Sequence, residues 1–433
     1  MDALRFITCG SVDDGKSTLI GRLLLDTRAV LQDHLAGVTR QGHQADPNDA
    51  GATVDLALLT DGLSAEREQG ITIDVAYRYF STEQRKFIIG DAPGHEQYTR
   101  NMVTAASSAH AAVVLVDATK LQWTDPHLKL LPQTRRHTLL LHLLRVPSVV
   151  FAINKLDAVD DAGVAFVHIE RALRAFAQEA GIQARAIIPV SALKGWNVVE
   201  SANDAWCGYS GPSLLELLEQ LPVTPADVAL PFAFPVQWVE KFSSSADTHQ
   251  GRRVFWGRLA SGQVQPGDTV RVFPGHQTAT VAQVLNAVRL PFKAQANQSV
   301  GVVLDRELDL SRGDWLITHE HEAGLLTETR ELHATVAWLD DEPLVVGRVY
   351  WLLHGHRWVK AKVKQVSYRL NIHNLAQEAA THLEPNAIGH VELALQEPLA
   401  ILPFGQSRGL GCCILVDTAS HKTAGAVLLS KTP

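Results

Sequence analysis

Cysteine is scarce in this sequence. Its 433 residues include four cysteines, at positions 9, 207, 412 and 413, and none of them forms a C-x-x-C pair. So few thiols at such spacings exclude a disulfide framework and favour a reducing compartment. A secretory signal is also missing, since Met1, Asp2 and Ala3 lead directly into the first apolar run. We therefore expect a cytoplasmic protein.

The sequence also lacks long hydrophobic runs and an excess of basic residues. Its most apolar stretch, residues 139–153, is interrupted by His142, Arg145 and Pro147, which excludes a membrane-spanning segment. Lys and Arg number 39 against 46 Asp and Glu, a formal net charge of −7. That balance argues against a general nucleic-acid-binding protein. With 46% hydrophobic residues, the chain can bury the cores of several domains.

The most informative stretch lies near the start of the chain, between an apolar run at residues 4–9 and a helical pattern at residues 18–24. It matches the motif G-x-x-x-x-G-K-[ST] and reads Gly10, Ser11, Val12, Asp13, Asp14, Gly15, Lys16, Ser17, Thr18. A strand before the motif and a helix after it are the context that a phosphate-binding P-loop requires. We predict that Lys16 reaches the β- and γ-phosphates of a nucleotide and that Ser17 binds Mg²⁺.

Strands and helices alternate from residue 1 to about residue 228, which predicts a mainly parallel sheet. A hairpin turn at residues 82–84 is expected between the second and third strands. Ligands bind such a sheet at the carboxyl ends of its strands, where the motifs below also fall. The predicted strands are Leu4–Cys9, Ile73–Ser81, Lys86–Gly90, Ala111–Asp117, Ser148–Ile153 and Arg185–Val190.

A D-x-P-G motif follows the third predicted strand and consists of Asp91, Ala92, Pro93 and Gly94. Alone it could be an ordinary turn, but behind a P-loop it is typical of a γ-phosphate sensor. We predict that Asp91 binds Mg²⁺ through water and that the N–H of Gly94 contacts the γ-phosphate.

An N-K-x-D motif ends the fifth predicted strand and indicates which base is bound. Asp157 offers two acceptor oxygens to the N1–H and N2–H₂ donors of guanine, a donor pair that adenine lacks. Asn154 would contact the other edge of the base, and Lys155 would lie along it and brace the P-loop. The sixth strand is followed by a motif whose middle N–H would reach the guanine carbonyl: Ser191, Ala192, Leu193. We therefore predict GTP as the nucleotide.

A long segment, residues 26–72, separates the first two predicted strands. In GTPases such a loop carries a threonine that reaches Mg²⁺ and the γ-phosphate, and the loop is released on hydrolysis. We predict Thr72 for this role. The alternative is a threonine that merely begins a β-strand.

The residues at 65–74 (AEREQGITID) and 91–95 (DAPGH) resemble the translation-factor superfamily of GTPases. That superfamily includes elongation factors of the Tu/1-alpha type and the GTPase subunit of bacterial ATP sulfurylase (sulfate adenylyltransferase subunit 1, CysN/NodQ). The sulfurylase subunit is favoured by the stretches at residues 10–24, 74–82, 94–102, 133–137 and 209–216.

The resemblance implies further roles for single residues. His95 matches the histidine that positions or activates the attacking water. Val12 and Ile71 match the apolar residues that flank it, and a packing role for both stays equally open. Asp13 matches the P-loop aspartate of the superfamily, for which a structural and a cation-binding role both stay open. The sequence departs from the family after Val116-Asp117-Ala118, because residues 119–132 replace a short glycine-containing link. We interpret them as a surface loop with an exposed Trp123, and the alternative is a segment that contacts a partner.

The resemblance and the pattern beyond the linker at residues 221–225 predict the same architecture. Short alternating strands with turn signals follow that linker and are typical of β-barrels. We predict an elongation-factor-Tu-like chain, with an α/β P-loop GTPase domain and its mainly parallel sheet at residues 1–228. Two all-β barrel domains should follow at 229–326 and 327–433.

The function implied is that of the GTP-hydrolysing regulatory subunit of ATP sulfurylase in sulfate assimilation. Its partner, an adenylyltransferase subunit in a heterodimer or larger complex, would make adenosine 5′-phosphosulfate and pyrophosphate from ATP and sulfate. An elongation-factor-type GTPase that delivers aminoacyl-tRNA shares the fold and all the GTP motifs. A stand-alone GTPase switch is a third possibility, and the fold alone does not decide among them.

Overall fold

The computed structural model describes residues 3–29, 56, 75–94, 99–241, 253–319, 326–371 and 376–430. The chain divides into two compact units, Met1–Thr224 and Pro225–Asn371 with Ala376–Pro433. This division falls inside the predicted linker at residues 221–225, and the three domain ranges given above stay predictions. None of the described helices is both long enough and apolar enough to cross a membrane.

Strands and helices alternate in the first unit. Its described strands are β1 Leu4–Cys9, β2 Ala76–Ser81, β3 Lys86–Asp91, β4 Ala111–Asp117, β5 Ser148–Asn154 and β6 Ala184–Pro189. Its described α-helices are α1 Lys16–Asp26, α2 Thr99–Ser107, α3 Pro132–Leu143, α4 Ala162–Glu179 and α5 Leu214–Gln220. Five of the six predicted strands agree within one residue at each end. The second begins at Ala76, and residues 73 and 74 lie outside the described part.

The sheet of the first unit has the strand order β2-β3-β1-β4-β5-β6. Every pairing is parallel except that of β2 with β3, which are joined by the predicted hairpin. Strands β4 and β5 are buried along their whole length, as their continuous apolar runs require. The prediction of a mainly parallel sheet is therefore confirmed. Because the strand order reverses beside β1, the loops after β1 and β4 diverge and leave a crevice at their carboxyl ends.

The β2–β3 hairpin is bonded to the last helix of the first unit. Helix α5 begins with a capping box, in which Ser213 and Glu216 each bond the main-chain N–H of the other. At the other end of α5, Thr82 donates to Glu219 Oε1 over 2.6 Å, and Arg85 donates to main-chain oxygens of the last turn. The hairpin thus satisfies carbonyl groups that a helix terminus leaves without partners.

The second unit begins with strands β7 Ala233–Pro235, β8 Trp238–Lys241, β9 Arg253–Arg258, β10 Gln263–Val264, β11 Thr269–Phe273, β12 Thr278–Leu285, β13 Ala294–Gln295, β14 Ser299–Leu304 and β15 Trp315–Thr318. They form an antiparallel sheet of order β7-β15-β11-β12-β14-β9-β8 and a two-stranded ribbon of β10 and β13. Their apolar core includes residues between Phe232 and Leu316.

A closed barrel follows in the same unit. Its strands are β16 Thr327–Trp338, β17 Leu344–Val345, β18 Val349–His354, β19 Arg357–Leu370, β20 Gln377–Glu378, β21 His382–Leu383, β22 Ile388–Ile401, β23 Cys412–Asp417 and β24 Thr423–Leu429. The sheet has the order β18-β23-β24-β16-β22-β19-β20, and a further pairing of β18 with β19 closes six of these strands around a separate core. The predicted architecture of an α/β domain followed by β-barrels is confirmed.

Candidate nucleotide-binding site

The P-loop connects β1 to α1, and Gly15 is the N-cap of that helix. Its φ of 93° lies in the left-handed region that favours glycine. A Cβ on Gly15 would also lie 2.4 Å from Nδ2 of Asn154, so no side chain fits at this position. The loop can therefore turn its N–H groups and the start of α1 toward a bound anion.

Lys16 is buried at the base of this loop. Its Nζ donates to the main-chain oxygen of Ser11 over 2.8 Å and lies 3.5 Å from that of Gly10. Burial lowers the pKa of Lys16, and the charges of Asp91 and Asp14 oppose that shift. A buried ammonium group beside a helix N-terminus suits an anionic ligand.

The D-x-P-G motif lies directly against Lys16. A Cβ on Gly94 would lie 2.7 Å from Nζ of Lys16 and 3.0 Å from the main-chain oxygen of Gly10, so it would displace Lys16 or the P-loop backbone. Asp91 ends β3 opposite Thr8 of β1, and the Thr8 hydroxyl donates to Asp91 Oδ1 over 3.1 Å. Ala92 and Pro93, which follow Asp91, are buried. The parallel pairing of β1 with β3 therefore brings the two predicted phosphate motifs together.

Ser17 and Thr18 occupy the first turn of α1 and are partly exposed. Of the three predicted Mg²⁺ ligands, Ser17 and Asp91 are described, and each adjoins one of the two loops that meet at Lys16. Thr72 lies outside the described residues, as do Ile71 and His95. Their predicted roles in metal binding and catalysis stay predictions.

Asn154 connects the phosphate loop with the base-recognition motifs. Its Nδ2 donates to the main-chain oxygen of Asp14 over 2.8 Å, and its Oδ1 accepts the N–H of Ala192 over 3.0 Å. Asn154 is only 2% exposed, so both bonds are shielded from water. We predicted the N–H of Ala192 as a donor to the guanine carbonyl, and in this structure it is bonded to Asn154.

Lys155 and Asp157 are the other two polar residues of the N-K-x-D motif. Nζ of Lys155 donates to the main-chain oxygen of Asp13 over 2.5 Å and to Asp117 Oδ2 over 2.7 Å, and in this way it braces the P-loop. Oδ2 of Asp157 lies 3.7 Å from Nζ of Lys194. A guanine bound to Asp157 would share that carboxylate with Lys194.

The loop of residues 191–193 is held from two sides. Ser191 is buried, and its hydroxyl accepts the N–H of Lys194 over 3.2 Å. Arg22 of α1 donates to the main-chain oxygens of Ala192 and Leu193. The Leu193 side chain is 67% exposed, so it is available to cover the face of a bound base.

Several residues that the motifs do not include also shape this site. They are Thr8, Arg22, Asp117, Lys120 and Lys194. Asp117 could have been found from the sequence, because it ends a predicted strand at the same edge of the sheet. The prediction of an exposed Trp123 is wrong: its side chain is half-buried, and its main-chain oxygen accepts a hydrogen bond from His168 Nδ1 at 2.8 Å.

The residues present fit a guanine nucleotide with Mg²⁺. Two glycines leave space where a Cβ would clash, and a buried ammonium group and a helix N-terminus face that space. Asp157 would offer two acceptor oxygens to guanine, and Ser17 and Asp91 carry oxygen atoms of the kind that Mg²⁺ prefers.

Comparison with known proteins agrees with this fit. Residues 1–224 match the family described as the elongation factor Tu GTP binding domain, and residues 331–428 match GTP-eEF1A C-terminal domain-like. Fold and site therefore define a GTPase of the elongation-factor-Tu type.

Over 429 residues the chain is 43% identical to sulfate adenylyltransferase subunit 1 of Laribacter hongkongensis, covering 99% of this chain and 85% of that protein. The chain belongs to the sulfate adenylyltransferase subunit 1 family.

Two relatives are described as bifunctional enzymes. The chain is 46% identical to CysN/CysC of Xylella fastidiosa over 98% of its own length, and 42% identical to NodQ of a Rhizobium species over the same share. It spans 65% of the length of the first and 63% of the length of the second.

Proposed function

We propose that this chain is the GTP-hydrolysing regulatory subunit of an ATP sulfurylase. The observation that carries the proposal is the 43% identity to a sulfate adenylyltransferase subunit 1 along 99% of the chain. A partner adenylyltransferase subunit joins ATP and sulfate to form adenosine 5′-phosphosulfate and releases pyrophosphate, a step of sulfate assimilation. The two subunits form a heterodimer or a larger cytoplasmic complex that needs neither a membrane nor nucleic acid.

Formation of adenosine 5′-phosphosulfate is uphill, so it needs a source of free energy. GTP and its hydrolysis products can drive a partner only if they bind its conformational states with different affinities. The GTP-bound chain stabilises one conformational state of the partner, and hydrolysis of GTP ends that stabilisation.

The residues of the site have separate roles in the binding and hydrolysis of GTP. Lys16 binds the β- and γ-phosphates, and the P-loop N–H groups and Gly94 enclose them. Ser17, Thr72 and Asp91 would hold Mg²⁺, which would stabilise the charge of the transferring phosphoryl group. Asp157 selects guanine, and His95 orients or activates the attacking water.

The test is sulfate-dependent release of pyrophosphate from ATP. The full chain is mixed with the adenylyltransferase subunit from the same genome, with and without GTP. We expect strong stimulation by GTP that a non-hydrolysable analogue does not sustain over many turnovers. A Lys16→Met chain should bind the partner but give no stimulation.

Absence of stimulation with an active partner would contradict the proposal. The elongation-factor alternative would then be examined by a GTP-dependent gel shift with aminoacyl-tRNA. Such binding should weaken steeply with added salt, because it depends on contacts with phosphates.

A further inference from the structure

Lys120 contacts the P-loop although it belongs to none of the nucleotide motifs. It is the last residue of a 3₁₀ turn, Ala118–Lys120, that directly follows β4. Its Nζ donates to the main-chain oxygen of Val12 and lies 3.2 Å from Asp14 Oδ1. The ammonium group therefore bridges the loops after β1 and β4 across the crevice where the nucleotide site lies.

The partner of Lys120 is a carboxylate under the P-loop. The Asp14 side chain is fully buried, and its Oδ2 accepts the N–H of Ser11 over 2.6 Å while its Oδ1 faces Lys120. Burial raises the pKa of Asp14, and the charge of Lys120 opposes that rise. Because a buried carboxylate is costly unless it is paired, Lys120 allows Asp14 to stay ionised and to hold Ser11.

Asp117 fixes the direction in which Lys120 points. Its Oδ1 accepts the N–H of Thr119 over 2.9 Å and the Thr119 hydroxyl over 2.6 Å, which caps the turn. Its Oδ2 accepts from Lys155 over 2.7 Å and lies 3.8 Å from Nζ of Lys120. The Asp117 side chain is fully buried, so the turn that carries Lys120 is anchored before any ligand binds.

We propose that Lys120 is a positioning residue for guanine nucleotides. Together with Asp14 it holds the Val12–Asp14 turn of the P-loop in the shape that receives phosphates, and it acts through that turn without touching the nucleotide. The inference rests on the proposed binding of GTP. Since a pre-organised loop loses less freedom on binding, removal of Lys120 weakens affinity for GTP and GDP alike. The rate of hydrolysis at saturating GTP depends on other residues and should change little.

The test measures release of a fluorescent GDP analogue from wild type, Lys120→Met, Asp14→Asn and the double variant. Contacting residues show coupling, so we expect about ten-fold faster release from Lys120→Met and no further increase in the double variant. In GTP hydrolysis, Lys120→Met should raise KM by a similar factor while kcat stays within about two-fold of wild type. Lys120→Arg should restore slow release in part, because it keeps a donor for Val12 and Asp14.

Lys129→Met provides the matched control. Lys129 lies in the same segment of residues 119–132, is exposed and forms no ion pair with any described residue. Its substitution should leave release and KM unchanged.

Unchanged release from Lys120→Met, or additive effects in the double variant, would overturn the positioning role. Additivity would mean that Lys120 acts independently of Asp14. If wild type itself bound no guanine nucleotide, the proposed function would fail instead. If Lys120→Met did not fold, release of the GDP analogue would be compared among wild type, Lys120→Arg and the double variant, which removes both charges of the pair.

Discussion

The side-chain amide of Asn154 donates a hydrogen bond to the main-chain oxygen of Asp14 over 2.8 Å. This bond joins the N-K-x-D motif, which is predicted to recognise the base, to the P-loop, which is predicted to bind phosphates. A second bond, from the N–H of Ala192 to Asn154 Oδ1, adds the loop of residues 191–193. The three predicted motifs are therefore one hydrogen-bonded network, and a change at one of them should be felt at the others.

Gly15→Ala should abolish nucleotide binding. The substituted Cβ would lie 2.4 Å from Nδ2 of Asn154, and the φ of 93° strains any residue other than glycine. The collision breaks the bond from Asn154 to Asp14, so the loop can no longer keep its shape. Isothermal titration with GDP measures the effect.

Gly163→Ala is the control for that substitution. Gly163 lies in the first turn of α4, and its Cβ would meet only Asp161 Oδ1, at 3.8 Å. Because alanine is the better helix former, unfolding should cost up to about 1 kcal/mol more, with GDP binding unchanged. Normal GDP binding by Gly15→Ala would contradict the prediction, because it would show that the P-loop backbone tolerates a different conformation.

Asp157→Asn should remove the preference for guanine. The carboxamide has one acceptor oxygen where guanine needs two, so GTP affinity should fall by about ten- to hundred-fold, or roughly 1.5–3 kcal/mol. Competition of GTP with xanthosine triphosphate is the measurement, because the amide N–H₂ complements the additional carbonyl of xanthine. Unchanged discrimination between the two nucleotides would contradict the assignment of Asp157 to the base.

His95→Ala should lower GTP turnover and leave GTP binding intact. General acid–base groups contribute about 10²- to 10⁴-fold to a rate, and we expect a loss in that range at saturating GTP. Single-turnover hydrolysis and titration with a non-hydrolysable analogue separate the two effects. A parallel loss of binding and turnover would sink the catalytic assignment.

Arg85→Ala should destabilise the first unit. Nη1 of Arg85 lies 3.0 Å from the main-chain oxygen of Glu219 and 3.3 Å from that of Leu218, and it also donates to Leu221. Loss of a cation from a helix C-terminus and of its bonds to partly buried carbonyls should cost about 1–3 kcal/mol. Chemical unfolding measures the change. Lys86→Ala, at the exposed neighbouring position, should stay within about 0.5 kcal/mol of wild type.

His354 should make the second unit less stable in mild acid. The imidazole is buried, stacks on Trp315 with ring centroids 5.0 Å apart, and bonds the main-chain oxygen of Leu410 through Nε2. Burial lowers the pKa of His354 from 6.5 to about 4. As the pH falls from 6.5 to about 4, the imidazole is therefore protonated in the unfolded chain but not in the folded chain.

The expected result is a loss of unfolding free energy of up to about 1.4 kcal/mol per pH unit between pH 6.5 and 4. Below pH 4 both states are protonated and this contribution no longer changes. His354→Phe keeps the ring stack and should show a shallower pH dependence. His127→Gln, at an exposed position, should match wild type, and equal slopes for all three proteins would contradict the role of His354.

Local signals in the sequence were sufficient for most of the first unit. Strands β4 and β5 could be predicted because both are continuous apolar runs, and such runs mark strands covered on two faces. The P-loop, D-x-P-G and N-K-x-D motifs could be assigned to one site because parallel strands bring their carboxyl ends together. The prediction of guanine depended on the chemistry of one carboxylate, Asp157.

Contacts between distant parts of the chain could not be predicted. Trp123 was predicted to be exposed but is half-buried, and its main-chain oxygen is bonded by His168 of α4, 45 residues away, a contact that no local pattern indicates. Arg85 directly follows the predicted hairpin turn, and no local pattern connects it with the end of a helix more than 130 residues away, which it bonds.

The sequence by itself therefore determined the class of fold, the order of the motifs and the nucleotide they are built to bind, since these depend on periodicity and residue chemistry within short windows. Only the tertiary structure decided that Lys120 pairs with Asp14 and that Asn154 bonds both the P-loop and residue 192. Those contacts join loops from different strands, and their geometry is set by strand pairing and burial that no local pattern records.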